Sequence, residues 1–248
     1  MIIPRRFNIA ESSHRILDPF TPSKLADLGD ALQLRQDMTV LDLACGKGET
    51  LCQWAAAYGI RGTGVDINPP FVQSATGRAE ELGVNDRLSF FEADASGYIS
   101  DQLVDIASCC GAPWIGGGLV GTLDLLERSL KSGGIAVIGD CYWREVPPTQ
   151  EAIEGCHAKS ADDFPTLWGL IESVRAAGWD LVEMVHADEH SWDRYVAAQW
   201  LNLRRFIDAN PDDEIVSELR SELDTAPTTY VRYQRRYLGW AAFALMKR

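Results

Sequence analysis

The stretch that decides the fold runs from residue 40 to residue 49 and reads VLDLACGKGE. A short apolar segment with one aspartate leads directly into a turn of small residues that contains Gly46 and Gly48. Glycines allow a ligand to approach the backbone closely, and the N-terminus of a following helix favours an anionic group. The turn therefore predicts a ligand site, and the flanking residues must indicate which ligand.

The pattern around this turn predicts a doubly wound α/β fold. The first strand is expected at residues 39–43, and strands and helices alternate five times within the first 140 residues. The strands are continuously apolar, as a parallel sheet covered on both faces requires. Two further strands are expected at 179–187 and 237–248, and the residues between them have a mostly helical pattern.

Two helix boundaries and the domain organisation follow from the same pattern. A helix is expected from about Leu119 to Leu130, with Ser132-Gly133-Gly134 as its stop, and another is expected to begin at Asp163 and Pro165. We expect one domain over residues 1–248, with a helical segment at 1–35 and a helical insertion at 188–236. Three roles are open for this insertion: packing on its own domain, a lid over the acceptor site, or a homodimer contact.

Composition excludes several classes of function. The 248 residues carry a formal net charge of −13, which disfavours a nucleic-acid partner. Neither the N-terminal residues nor any later stretch has the apolar length of a signal peptide or a membrane span, so a cytoplasmic location is expected. The six cysteines form no C-x-x-C pair and only four histidines accompany them, so no metal site is predicted.

The glycine turn does not fit either common phosphate loop. A dinucleotide loop needs a third glycine where Leu51 stands, and no G-K-[ST] ending follows Lys47. Asp42, at the end of the first strand, would repel a pyrophosphate but would attract a cation. A ligand with an amino-acid end and a positive centre satisfies both the aspartate and the helix N-terminus, and S-adenosylmethionine is such a ligand.

The ends of the next two strands support this ligand. Asp66 ends the second strand about twenty residues beyond the turn, where a carboxylate can accept both ribose hydroxyls. Asp94 ends the third strand and suits the exocyclic amine of an adenine. Ile67 and Ala95 follow these two aspartates as apolar neighbours that could sandwich the ring.

The sequence resembles the class I S-adenosylmethionine-dependent methyltransferases, most of all the ubiquinone/menaquinone-biosynthesis type and its uncharacterised bacterial relatives. The resemblance covers about residues 35–140 and is carried by VLDLACGKGE, GTGVDIN, FFEADA and LKSGGIAVIGD. It implies a Rossmann-like, mostly parallel seven-stranded sheet whose seventh strand is antiparallel. It also implies the cofactor-binding residues: Asp42, Ala44, Cys45, Gly46 and Gly48 for the methionine part, Asp66 and Ile67 for ribose and adenine, Asp94 and Ala95 for the adenine edge, and Cys110 or Gly111 beneath the cofactor.

The sequence signals for the methyl acceptor are less specific than those for the cofactor. The stretch after strand 4, CCGAPWIGGG, lacks the Asn-Pro-Pro-Tyr type of motif that grips a planar amide, which favours a small-molecule acceptor. Candidate substrate-binding residues are His14, Trp114, Tyr142, Trp143 and Trp192, and each has packing or solvent exposure as its alternative. Arg232, Arg235 and Arg236 form a basic, tyrosine-rich patch that would either face solvent or attract an anionic substrate. No histidine is a convincing general base, so no catalytic residue is assigned.

These observations lead to one main hypothesis and two alternatives. The main hypothesis is the transfer of a methyl group from S-adenosylmethionine to a small-molecule acceptor by in-line displacement. The first alternative is a nicotinamide-dependent oxidoreductase, against which Asp42 and Leu51 both count. The second is a non-catalytic regulatory protein that binds the cofactor.

Overall fold

The computed structural model describes residues 3–248, so the first two residues of the predicted N-terminal segment lie outside it. The helices are α1 (Arg5–Ala10), α2 (Pro22–Ala31), α3 (Glu49–Tyr58), α4 (Pro69–Glu81), α5 (Leu119–Glu127), α6 (Gln150–Gly155), α7 (Leu167–Ala176), α8 (Glu189–Ala209), α9 (Val216–Thr229) and α10 (Arg235–Tyr237). The strands are β1 (Thr39–Leu43), β2 (Arg61–Asp66), β3 (Leu88–Glu92), β4 (Val104–Cys110), β5 (Leu130–Trp143), β6 (Trp179–His186) and β7 (Leu238–Lys247).

The strands form one seven-stranded sheet in the order β3-β2-β1-β4-β5-β7-β6. The neighbouring strands from β3 through β2, β1 and β4 to β5 pair in parallel, and β7 is antiparallel to β6. This arrangement confirms the predicted Rossmann-like methyltransferase fold with helices inserted between the last two strands. The strand order reverses between β1 and β4, and in open parallel sheets such a reversal marks where ligands bind.

The chain divides into two compact units. The sheet unit comprises residues 15–140, 169–186 and 240–248, and the helical unit comprises residues 3–14, 141–168 and 187–239. The expected single domain over 1–248 and the expected roles of the 1–35 and 188–236 segments stay predictions.

Local signals explain why the elements around the first turn begin and end where they do. The Thr21 side chain accepts a hydrogen bond from the backbone of Lys24 and so caps α2, with proline at the first helical position. Gly59 ends α3 in the left-handed conformation that glycine adopts without strain. Leu41, Leu43 and Ile106 are fully buried, as expected for central strands covered on both faces.

The expected helix end at about Leu130, with its stop at Ser132-Gly133-Gly134, is wrong. Helix α5 ends at Glu127, and those three residues lie within β5. Leu130 already pairs with Val104, whereas Ile135 pairs with Ile106. Between these two pairs β5 has more residues than β4, so β5 bulges there. Gly133, at φ 74°, permits this bend, which explains why a helix-ending motif occurs inside a strand.

The expected start of a helix at Asp163 and Pro165 is also wrong, because α7 begins at Leu167. The backbone before it is held extended by the end of β5. The N–H of Trp143 donates to the carbonyl of Pro165 at 2.8 Å, and Trp143 forms a parallel bridge with Thr166. A non-local backbone contact has overridden the local helix signal.

The helical unit has its own apolar cluster. Ile9 of α1 packs with Leu203 and Ile207 of α8 and with Leu219 of α9. Helix α8 therefore buries part of one apolar face within its own unit.

Replacing Gly48 with alanine should destabilise the protein by about 2–4 kcal/mol. The residue has a φ of 67°, and an added Cβ would lie 2.6 Å from Cε1 of Phe90 and 2.7 Å from Cβ of Ala75. Chemical denaturation of the ligand-free protein measures the effect. Gly77→Ala is the matched control, since nothing lies within 4 Å of its added Cβ. That control should stabilise α4 by about 0.5–1 kcal/mol, and equal effects of the two substitutions would contradict the steric explanation.

Candidate active site

The glycine turn after β1 is compact and left-handed at alternate residues. Ala44, Gly46 and Gly48 have φ values of 57°, 55° and 67°. The backbone N–H of Cys45 donates to the carbonyl of Val65, and that of Gly48 donates back to the carbonyl of Cys45, each at 3.0 Å. As the N-cap residue of α3, Gly48 offers no side-chain oxygen to the first N–H groups of the helix. These groups form a site of the kind that binds carboxylates.

Asp42 provides a buried carboxylate beside this turn. The residue is 5% exposed, and its Oδ1 accepts a hydrogen bond from the Ser108 hydroxyl at 2.7 Å. Burial raises the pKa of Asp42 to about 7; the Ser108 hydrogen bond opposes the rise, and the carboxylates of Asp66 and Asp18 add to it. A carboxylate that is desolvated and surrounded by other negative charge favours a cationic ligand.

Asp66 joins the end of β2 to the turn. Its Oδ2 accepts from the N–H of Gly46, and its Oδ1 accepts from the N–H of Asn68, both at 2.8 Å. Burial raises the pKa of Asp66, while the backbone hydrogen bonds lower it. Each carboxylate oxygen has a second lone pair, so these contacts leave acceptor capacity for a ribose hydroxyl.

Asp94 and Ala95 follow β3, which ends at Glu92 and thus two residues before the expected end at Asp94. The exposed carboxylate of Asp94 accepts from the N–H of Ser96 at 2.9 Å, and this hydrogen bond lowers the pKa of Asp94. Ala95 is buried and Ile67 is half-buried. The proposed partners of the adenine thus follow the adjacent parallel strands β2 and β3, and their assignment to that role stays a prediction.

Two cysteine thiols in this region are protonated at neutral pH. Burial raises the pKa of both Cys45 and Cys110 well above the usual value, and the Asp42 carboxylate raises them further. Neither thiol is therefore a reactive thiolate. Cys110 ends β4, and Gly111 follows it with a φ of 83°.

Sequence reasoning missed two residues beside this site, Ser108 and Asp18. Ser108 lies in the middle of an apolar strand, and its hydrogen bond to Asp42 depends on the β1–β4 register. Asp18 lies in the loop before α2, far from the glycine turn in sequence. No periodicity or motif distinguishes either residue, and only the tertiary structure brings them to the site.

The described contacts of three substrate-side candidates lie within the helical unit. His14 Nδ1 lies 3.0 Å from Oε2 of buried Glu11, and His14 Nε2 lies 3.1 Å from the carbonyl oxygen of Tyr195. Trp143 is 1% exposed and its indole donates to the carbonyl of Ala161, in agreement with the packing alternative. Trp192 is also buried.

The other two candidates differ in exposure. Trp114, in the loop after β4 of the sheet unit, is 58% exposed and available for contact. Tyr142 is buried in the helical unit, against the backbone of Gly239. The assignment of these five residues to substrate binding stays a prediction.

The basic patch is neutralised by acidic partners. Arg232 pairs with Glu151, Arg236 pairs with Glu145, and Arg235 pairs with both Glu189 and Asp193. These contacts favour the interpretation as a solvated face over a site for an anionic substrate.

Within residues 3–248, none of the helices combines the length and the apolar character that crossing a membrane requires. The same residues bring together no group of three or more histidine, cysteine or acidic side chains suited to a metal ion.

Comparisons with known proteins agree with this geometry. The family model of the methyltransferase domain matches residues 34–200. The chain is similar to a crystal structure of a SAM-dependent methyltransferase from Geobacter sulfurreducens in complex with S-adenosyl-L-homocysteine, with 54% identity, 99% of each chain covered and a TM-score of 0.97. A SAM-dependent methyltransferase from Thiobacillus denitrificans, also in complex with S-adenosyl-L-homocysteine, is 52% identical over 100% of each chain, with a TM-score of 0.98. The Escherichia coli K12 protein YjhP, described as uncharacterized, is 50% identical over 100% of both chains.

Proposed function

Since this chain belongs to the methyltransferase domain family and is a SAM-dependent methyltransferase, we propose that its methyl acceptor is a small molecule of the cytoplasm. The observation that carries the proposal on the donor side is the buried Asp42 carboxylate, which has other carboxylates near it and a glycine turn beside it. This set suits a ligand that has a sulfonium, an ammonium and a carboxylate.

The residues present fit the cofactor at both of its ends. The turn from Ala44 to Gly48 and the N-terminus of α3 would hold the carboxylate of the methionine part, and Asp42 would face its positive charge. Asp66 would accept from the ribose, and Asp94 from the adenine amine. When bound, the cofactor supplies a methyl group on a good, neutral leaving group.

The chain itself supplies alignment and exclusion of water. In-line displacement requires the acceptor atom to stand opposite the leaving sulfur, so walls that orient the acceptor lower the barrier. The protonated thiols of Cys45 and Cys110 give this region a neutral lining beside Asp42. We propose Trp114 as the acceptor-orienting aromatic, because its ring is exposed in the loop that follows β4.

Two features support a small acceptor rather than a macromolecule. The net charge of −13 opposes binding to a nucleic acid, and the loop after β4 reads GAPWIGGG, without an amide-gripping motif. The three arginines of the patch, Arg232, Arg235 and Arg236, are paired with carboxylates, which further reduces attraction for a polyanion. Packing, a lid and a homodimer contact all remain predictions for the 188–236 insertion.

The proposal is tested by transfer of a labelled methyl group from S-adenosylmethionine into a bacterial extract that has been separated by size. We expect labelled product in the fraction of small metabolites and none in the protein or nucleic-acid fractions. Asp42→Asn protein serves as the control for transfer that depends on the site. Label confined to macromolecules would contradict the small acceptor, and binding of S-adenosylhomocysteine without transfer to any fraction would favour the regulatory alternative.

A further inference from the structure

Residues 15–20 (RILDPF), which we term the strap, lie against the carboxyl edge of the sheet. At one end, Nη2 of Arg15 lies 3.2 and 3.1 Å from the two carboxylate oxygens of Glu81 on α4. The side chain of Leu17 lies against the glycine turn, since its Cδ1 is 2.7 Å from the position of a Cβ on Gly46. The first half of the strap is thus placed beside β1.

The other end of the strap reaches the far side of the reversal in strand order. The ring of Phe20 packs edge-on against Trp240 of β7, with centroids 4.6 Å apart. A Cβ on Gly139 of β5 would lie 2.7 Å from Cζ2 of Trp240 and 2.9 Å from Cβ of Cys110. The strap therefore crosses from the end of β1 to the ends of β4 and β5, which lie between β1 and β7 in the sheet.

Asp18 lies between these two anchors. Its Oδ1 accepts a hydrogen bond from the N–H of Phe20 at 2.9 Å, which fixes the turn of the strap at this residue. The negative charge of Asp18 acts on residues at the ends of β1 and β4, because it raises the pKa of both Asp42 and Cys110. The strap thus brings a third carboxylate, from a different part of the sequence, within electrostatic range of Asp42.

We propose that Asp18 is a cofactor-binding residue that pairs with the α-ammonium group of the methionine part. The assignment rests on the proposed donor site. The N-terminus of α3 accounts for the carboxylate of that part, and Asp66 and Asp94 stand at the ribose and adenine end. Asp42 would face the positive charge of this part from β1, and Asp18 would be a second carboxylate for the ammonium, because Leu17 places the strap directly on the turn that would hold this part.

The test compares two ligands that differ in the methionine part. S-adenosylhomocysteine carries the ammonium, whereas 5′-methylthioadenosine has the same nucleoside and thioether but no amino-acid end. Asp18→Asn keeps an oxygen that accepts from Phe20 and removes only the charge. We expect calorimetry to show S-adenosylhomocysteine affinity falling at least tenfold, with less than a twofold change for 5′-methylthioadenosine.

Asp86→Asn is the matched control, because it removes one exposed carboxylate of the same unit near the start of β3. It should change neither affinity by more than twofold. Equal losses of both ligands in Asp18→Asn, or no loss of S-adenosylhomocysteine, would overturn the assignment and leave the proposed function standing. If the wild-type protein binds neither ligand, the donor site itself is wrong.

Discussion

Asp42→Asn should stabilise the ligand-free protein at pH 8 by about 2–4 kcal/mol and weaken binding of S-adenosylmethionine at least tenfold. The folded protein holds the pKa of Asp42 at about 7, against an ordinary value of 3.8, mainly through burial. Between these two values the folded chain binds a proton that the unfolded chain does not bind. Stability contributed by this group is therefore lost as pH rises from about 4 to about 7, and the loss amounts to at most about 4 kcal/mol.

The pH dependence separates this effect from ordinary repacking. Urea denaturation at several pH values should show a difference between Asp42→Asn and wild type that is near zero at pH 4 and largest above pH 7. Asp86→Asn again serves as the charge-matched surface control. A constant difference across this range, or a destabilised variant at pH 8, would rule out a strained buried carboxylate at this position.

Asp66→Ala should lower the free energy of unfolding by about 2–4 kcal/mol and reduce the affinity for S-adenosylhomocysteine at least a hundredfold. The substitution removes the acceptor of the Gly46 and Asn68 N–H groups as well as the proposed acceptor of the ribose hydroxyls. Denaturation and calorimetry measure the two effects separately. Asp66→Asn, which retains one acceptor oxygen, should have intermediate effects on both.

A ligand without the ribose 2′-hydroxyl distinguishes direct binding from loss of the turn. In the wild-type protein, 2′-deoxy-S-adenosylhomocysteine should bind about tenfold more weakly than the parent compound, because a charge-assisted hydrogen bond is lost. In Asp66→Ala the two ligands should bind equally. A persistent preference for the parent ligand in this variant would assign the ribose to another residue.

The fold and the position of the glycine turn were largely predictable because their signals are local. β1 occupies residues 39–43 as expected. The failures have a different origin. At residues 132–134, pairing of β5 with β4 overrides the local signal for a helix end. Before α7, the contacts of Pro165 and Thr166 with the end of β5 override the local signal for a helix start at Asp163 and Pro165.

The sequence by itself determined the alternation of strands and helices, the left-handed glycine turn and the aspartates at three strand ends. Hydrophobic periodicity, glycine conformation and strand-end position are properties of short segments, so they can be predicted without knowledge of the tertiary structure. Only the tertiary structure decided that Asp42 accepts from Ser108, that Asp66 holds the turn, and that the strap carries Asp18 to the same edge. Burial and the electrostatic field at a residue depend on groups distant in sequence, so the charge around the glycine turn arises only when the sheet assembles.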